Sequence, residues 1–253
     1  MRTSILEKIG LLALLFVFCF GCSFVDSLKK KESDSTGKAP QTSDKPAETA
    51  AASPCQNRYH PVKDGATMNY AMDSSLGNSS AKVVQRYTPG EATFIEEWTF
   101  DKTSMKQVWQ CTAEGIIAPN YGSVLNSTDI KVEPRRISGV TLPPENDLTI
   151  GKTWTAVYES KAQLPSGMGE TVSRVTVNNK VVSLDDEVQT PGGTFKAMKV
   201  EMVLDIATQL NGKNLPVPPF KTTAWFAPDV GMVKSGLTDS KFGNATMNYV
   251  GSN

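Results

Sequence analysis

The chain has 253 residues, 26 Lys plus Arg balanced by 26 Asp plus Glu, four cysteines and a single histidine. With no net charge, no long-range field draws it to nucleic acid or to anionic lipid, and neither is expected as a partner. One histidine among scattered carboxylates gives little material for a metal centre or a histidine-based catalytic group.

The first element is a signal. Arg2 and Lys8 precede the apolar run Ile9–Phe20, which Gly21 closes ahead of Cys22. A basic start, an apolar stretch, a small residue at the cut and then a cysteine is the order of a bacterial lipoprotein signal, so residues 1–21 are read as signal peptide and Cys22 as the lipidation site. The run is too short to span ~30 Å of hydrocarbon as a helix. A conventionally cleaved signal with Cys22 incidental is the alternative, because Cys19 and Phe20 stand where a lipobox has leucine and a small residue. Three acyl chains on Cys22 would hold the protein on a membrane stably, one chain alone only reversibly. Ser23, rather than Asp, follows the cysteine. By resemblance to Gram-negative lipoproteins this implies outer-membrane sorting, facing the periplasm.

Residues 22–54 follow as a tether rich in Ser, Lys, Asp, Glu, Pro and Ala. With few bulky apolar residues it cannot offset its own chain entropy, and disorder is expected there. Lys29-Lys30-Lys31 is flanked by Asp26, Glu32 and Asp34, which reads as a solvated, charge-balanced linker. Beyond it, Cys55 and Cys111 are the two cysteines left once Cys19 departs and Cys22 takes lipid. In an oxidising compartment they are expected to pair with each other, two free thiols being the alternative.

The domain 55–253 reads as strand after strand. Met68, Tyr70 and Met72 share one face of the first. Phe94, Trp98 and Phe100 share a face of the next, and Met105, Trp109 and Cys111 a face of the one after. Asp101-Lys102-Thr103 between the last two predicts a hairpin. Further strands are expected over Trp154–Tyr158, Val172–Val177, Val181–Val188, Phe195–Ile206, Thr222–Ala227 and Lys241–Val250. Turns are expected at Asn178-Asn179-Lys180, Pro191-Gly192-Gly193, Asn211-Gly212 and Pro228–Gly231. Met198, Val200, Met202, Leu204 and Ile206 alternate strictly, which argues strand over helix. The fold class is therefore mainly β: antiparallel curved sheet or sheets, or an incomplete β-barrel, after a disordered tether. The proline-rich stretch from Ala113 to Gly151 separates two faintly similar parts, which leaves open one curved sheet or two related halves, 55–135 and 140–253.

Three phrases carry a resemblance. Gly65–Tyr70 and Gly151–Tyr158 match a "G-x-x-W-x-Y" strand opening, with Met68 in place of the first tryptophan. Val188–Val200 matches "V-x-T-P-A-G-T-F-x-A-x-K-V", with glycine for alanine in the turn. Thr223–Lys234 matches "W-Y-A-P-G-V-G-L-V-K", with Asp229 before Val230. Together they resemble the TapB-like exported lipoproteins, which are similar to the incomplete β-barrels of the LolA and LolB carriers. The resemblance implies a concave apolar face and no assigned chemistry, and fold alone does not carry function.

Candidate sites are few. His60 lacks a Gly-x-Ser-x-Gly elbow and reads as a surface-loop histidine. Asp185-Asp186-Glu187 reads as a solvated strand end, since neighbours on a strand point to opposite faces. The same split separates Glu96 from Glu97 and argues against a paired-carboxylate glycosidase. Ser166–Gly169 lacks the lysine of a phosphate loop. The sequons at Asn78, Asn126 and Asn244 fall in a bacterial context and read as unmodified. No catalytic residue, metal ligand or cofactor is assigned, and an enzyme is not expected. The feature that points to binding is the soft interior of Met68, Met72, Met105, Met198, Met202 and Met247 with Trp98, Trp109, Trp154 and Trp225. It reads either as a filled core or as a groove for an apolar ligand, with the ligand-binding residues unassigned. The functional expectation is a membrane-anchored, non-enzymatic module that binds or carries an apolar molecule or a lipoprotein. The alternative is a structural protein contacting another envelope component through a strand edge or the Pro216–Phe220 loop, part of the proline-rich stretch Lys213–Phe220.

Overall fold

The alternation of apolar and polar residues along the chain becomes one antiparallel sheet. The computed structural model describes residues 55–75, 77–100, 103–119, 131–164, 169–238 and 244–252. Signal residues 1–21, Cys22 and the tether to residue 54 lie outside the described residues, as do Asn126 and Ser166. Thirteen strands occur among the described residues: β1 Thr67–Ser74, β2 Gly77–Tyr87, β3 Thr93–Phe100, β4 Thr103–Thr112, β5 Gly115–Ile117, β6 Lys131–Ser138, β7 Thr153–Leu164, β8 Gly169–Thr190, β9 Gly193–Leu210, β10 Lys213–Leu215, β11 Phe220–Ala227, β12 Gly231–Thr238 and β13 Ala245–Ser252. Their order is β5-β4-β3-β2-β1-β13-β12-β11-β9-β8-β7-β6, with β10 added beside β9. The strands of the two candidate halves thus lie in one sheet, joined where β1 pairs with β13.

The sheet curls but does not close into a barrel. Its end strands β5 and β6 form no ladder. A single antiparallel bridge, Ile116 to Leu142, ties β5 to the segment just after β6. Ile116 N donates to Leu142 O at 2.8 Å, and Thr141 N donates to Ile116 O at 2.8 Å. Gly115 permits this approach: its φ is 130°, and a Cβ there would overlap the Leu142 carbonyl. Pro134 lies in β6, an edge strand, where a missing N–H is tolerated.

Turn chemistry holds where the sequence specifies it. Asn211 and Gly212 both have positive φ, 49° and 76°, and link Leu210 to its partner Lys213 as a two-residue hairpin. Gly231 has φ 95° after the Pro228–Val230 turn. Pro191 and Gly192 form the tip between Thr190 and Gly193. That tip docks on β13, where Gly192 N donates to Tyr249 O at 3.0 Å.

Asn178-Asn179-Lys180 is a correction. These residues are not a turn but lie mid-strand in the 22-residue β8. Neighbouring strands satisfy their polar groups: Asn178 accepts from Thr155 and donates to Asp205, and Asn179 donates to the carbonyls of Trp154 and Val177. The long strand bends further on, at bulges between Val181 and Asp186. Lys213–Phe220 is docked at its end, with Phe220 only 1% exposed and Val217 packed on the same cluster.

Residues 55–62 form a strap across one rim of the curled sheet. Cys55 is bonded to Cys111 of β4, with a Cα–Cα distance of 5.2 Å. Asn57 Nδ2 donates to Pro143 O at 3.1 Å, and Asp229 N donates to Arg58 O at 2.7 Å. Gln85 Nε2 of β2 donates to Pro61 O at 3.1 Å. The strap therefore ties together β2, β4, the segment after β6 and the β11–β12 turn.

Candidate functional site

Inside the curl lies a cavity of about 180 Å³. Most of its wall is apolar and soft. Met68, Met105, Met202 and Met232 line it with Trp98 and Trp154. Strand periodicity places them, since every second residue of a strand faces the same side. The methionine and tryptophan set read from the sequence divides here. Met72, Met198 and Met247 pack in the filled core, and the wall gains Met232. Trp225 is not part of the wall. Its Nε1 donates to Asp186 at 2.7 Å, with Lys199 and Lys234 each 5.5 Å from its ring. Asp186 is thus a bonded group at the bend of β8, also 3.8 Å from Lys199, while its neighbours Asp185 and Glu187 are exposed to solvent.

One side of the wall is polar. Gln85 pairs with Glu96 across β2 and β3, and Glu96 with Gln107 across β3 and β4. The three form a row on the inner face, 2%, 4% and 6% exposed respectively. Glu96 occupies the inward position between Phe94 and Trp98. Glu97, one residue on, points outward to Lys106 and Arg86. The two glutamates do split between faces, and the inward one is the residue of interest.

His60 is the second correction. It belongs to the strap and turns inward from it, its side chain 18% exposed, with Nε2 3.3 Å from Glu96 Oε1. Its ring sits 5.4 Å from that of Phe94 and 5.2 Å from that of Trp109. The cause is the strap: anchored by the disulfide, the approach Tyr59-His60-Pro61 crosses the rim and does not hang in solvent. Around the carboxylate, Gln85 Nε2 donates to Oε1 at 3.4 Å and Trp98 Nε1 to Oε2 at 3.3 Å. Burial pushes the Glu96 carboxyl up, but His60, Trp109 and Gln85 outweigh it, and the group stays ionised below the usual carboxylate range. The Nε1 of Trp109 is buried beside it without the alignment of a hydrogen bond, and His60 Nε2 is turned to Glu96 Oε1. On the far wall, Thr141 and Tyr158 hydroxyls meet at 2.8 Å and Trp154 Nε1 donates to Thr141 O at 3.1 Å. Burial raises the Tyr158 phenol above its usual range.

Among the described residues no group of three His, Cys, Asp or Glu side chains is placed to hold a metal ion. The arrangement provides an apolar chamber, one enclosed carboxylate and, next to it, the Trp109 indole N–H without an aligned acceptor.

The DUF3108-like family model matches residues 103–243, more than half of the chain. The chain belongs to the DUF3108-like family. The match runs from β4 through β12 and so includes much of the cavity wall, though His60, Gln85 and Glu96 precede it. Two solved structures are similar over 77% of this chain and 98% of their own. One is a candidate exported protein with YmcC-like fold from Bacteroides fragilis NCTC 9343, at TM-score 0.50 and 15% identity. The other is a candidate lipoprotein from Parabacteroides distasonis ATCC 8503, at TM-score 0.52 and 13% identity. At such identities the likeness is one of fold. No curated protein gives a significant match.

Proposed function

We propose that this DUF3108-like domain is a membrane-tethered, non-enzymatic binding module that holds a single apolar chain in the cavity of its curled sheet. The observation that carries the reading is a wall of methionine and tryptophan around about 180 Å³ that the protein's own side chains do not fill. Apolar cavities of about 150 Å³ stay dry and take up benzene-sized ligands. Methionine suits an adaptable lining. Glu96, surrounded by donors and held ionised, is fitted to accept hydrogen bonds from a ligand and not to deliver a proton. Within the family, the phrases Val188–Val200 and Thr223–Lys234 favour a TapB-like lipoprotein.

Native mass spectrometry of protein purified from cells should show an adduct of lipid mass. In a series of alcohols, affinity should rise about fourfold per added methylene, until the chain outgrows the cavity. Ala156→Phe, which fills the wall beside Trp154, should abolish the adduct. A clean unliganded mass with no uptake of acyl probes would count decisively against the reading.

The anchor is tested separately. Cys22→Ala should abolish labelling by clickable palmitate and move the protein from the membrane to a soluble or uncleaved precursor fraction, because the mature chain supplies no other apolar segment of spanning length. In density-gradient fractions the wild-type protein should travel with the outer membrane, as Ser23 implies. Unchanged palmitate labelling in the variant would remove Cys22 as the lipid site.

A further inference from the structure

The apolar wall says what body a ligand has, and the polar row says what head it carries. We infer that the cavity selects a single-chain amphiphile with an uncharged head that both accepts and donates a hydrogen bond, an alcohol or an acylglycerol, over a fatty acid. This inference rests on the binding reading above and adds the identity of the head.

The donors come first. Trp109 Nε1 is buried at the cavity wall with no aligned hydrogen bond, whereas His60 Nε2 beside it already faces Glu96 Oε1 at 3.3 Å. A buried donor left without an acceptor is costly, so an incoming oxygen is favoured at that spot. Trp109 Nε1–H can only donate, so the ligand must present an acceptor. Glu96 then sets the charge. Its two oxygens already face Gln85, Trp98 and His60, yet a carboxylate has about four lone-pair sites and accepts one further donor. A hydroxyl meets both demands, receiving from Trp109 and giving to Glu96. A carboxylate meets only the first and brings a second negative charge into a chamber of low dielectric, where like charges repel strongly. An ammonium meets only the second and leaves Trp109 unpartnered. Gln107, next to Glu96 in the same row, extends the polar strip toward a head with a second hydroxyl, while Gln85 is taken up by Lys63, Pro61 and Glu96.

The test is titration of the mature chain, from residue 22 on and carrying Cys22→Ala, at about pH 8, with dodecanol, 1-monolauroylglycerol, laurate and dodecylamine, where laurate and the amine are both ionised. Dodecanol and monolauroylglycerol should bind at least tenfold more tightly than laurate or the amine. Trp109→Phe keeps the ring against His60 and Phe94 and should weaken the alcohol about tenfold while leaving laurate weak. Glu96→Gln removes the charge and should bring laurate to within a few-fold of dodecanol. Laurate binding as tightly as dodecanol to the unsubstituted cavity, or the amine binding best, would overturn the head selection while leaving the carrier reading in place. No binding of any of the four would overturn the carrier reading itself. The unsubstituted comparison needs no cavity variant, so misfolding of a variant cannot mask the answer.

Discussion

Replacing Cys55 and Cys111 together by alanine should lower the thermal unfolding midpoint by roughly 10 °C. The bond closes a loop with a sequence separation of 56. In the chain-entropy treatment, releasing a loop of that length gives the unfolded state about 4 kcal/mol at 25 °C. A domain of this size loses about 2–4 °C of midpoint per kcal/mol. The structural consequence is local as well as global. Cys55 is the first described residue of the strap, and His60 lies five residues on, so an unbonded strap holds His60 less firmly against Glu96. Hydrogen exchange should therefore quicken in residues 55–62 and in β3 before the rest of the sheet opens. Reduction of the unsubstituted protein should reproduce both effects. A double variant that melts within a degree or two of the parent would show that the other strap contacts, from Asn57, Arg58 and Pro61, suffice to hold the rim.

The fold was legible where alternation and turn chemistry agree. In β3 and β4 the inward residues Phe94, Trp98, Phe100, Met105, Trp109 and Cys111 are all visible as a period of two. Asn211-Gly212 marked its hairpin for the same reason, since few other pairs accept positive φ twice. Asn178-Asn179-Lys180 misled because its composition is that of a turn. Cross-strand partners on β7 and β9 satisfy those side chains, and a single sequence does not show such partners. Strand β2 was harder still, because Asn78-Ser79-Ser80 at its start carries no apolar pattern.

The site was half legible. The soft wall could be read from methionine and tryptophan at alternating positions, and the cavity it surrounds could not, because an empty volume depends on how the sheet curls. The polar row did leave one trace. In Phe94-Ile95-Glu96-Glu97-Trp98 the alternation that points Phe94 and Trp98 inward points Glu96 inward too. A charge at the centre of an apolar face is the informative exception, since carboxylates are almost never fully buried unless paired. His60 gave no such trace. Its position depends on the Cys55–Cys111 bond and on contacts to residues 143 and 229, far away in the chain.

Replacing His60 by phenylalanine should reverse the sign of the contribution that Glu96 makes to the pH dependence of stability. In the parent protein Glu96 lies below its ordinary value of 4.5 when folded. Its contribution is therefore present above 4.5 and is lost as pH falls through the lowered folded value. Burial alone would push the carboxyl up, and His60 supplies the two largest influences that hold it down. Without His60 burial prevails, the folded value rises above 4.5, and the contribution becomes a penalty at neutral pH that fades as pH falls. The ring of the substituted residue keeps its place between Phe94 and Trp109, so the change removes the imidazole's polar contact with Glu96 and keeps the packing. At pH 7 the cost should be about 2 kcal/mol, less than for a wholly stripped ion, because Gln85 and Trp98 continue to donate. Urea unfolding at a series of pH values checks it. The gap between parent and variant should be widest at neutral pH and should narrow steadily on acidification. A gap that stays constant with pH would mean that His60 acts on Glu96 through packing and not through charge.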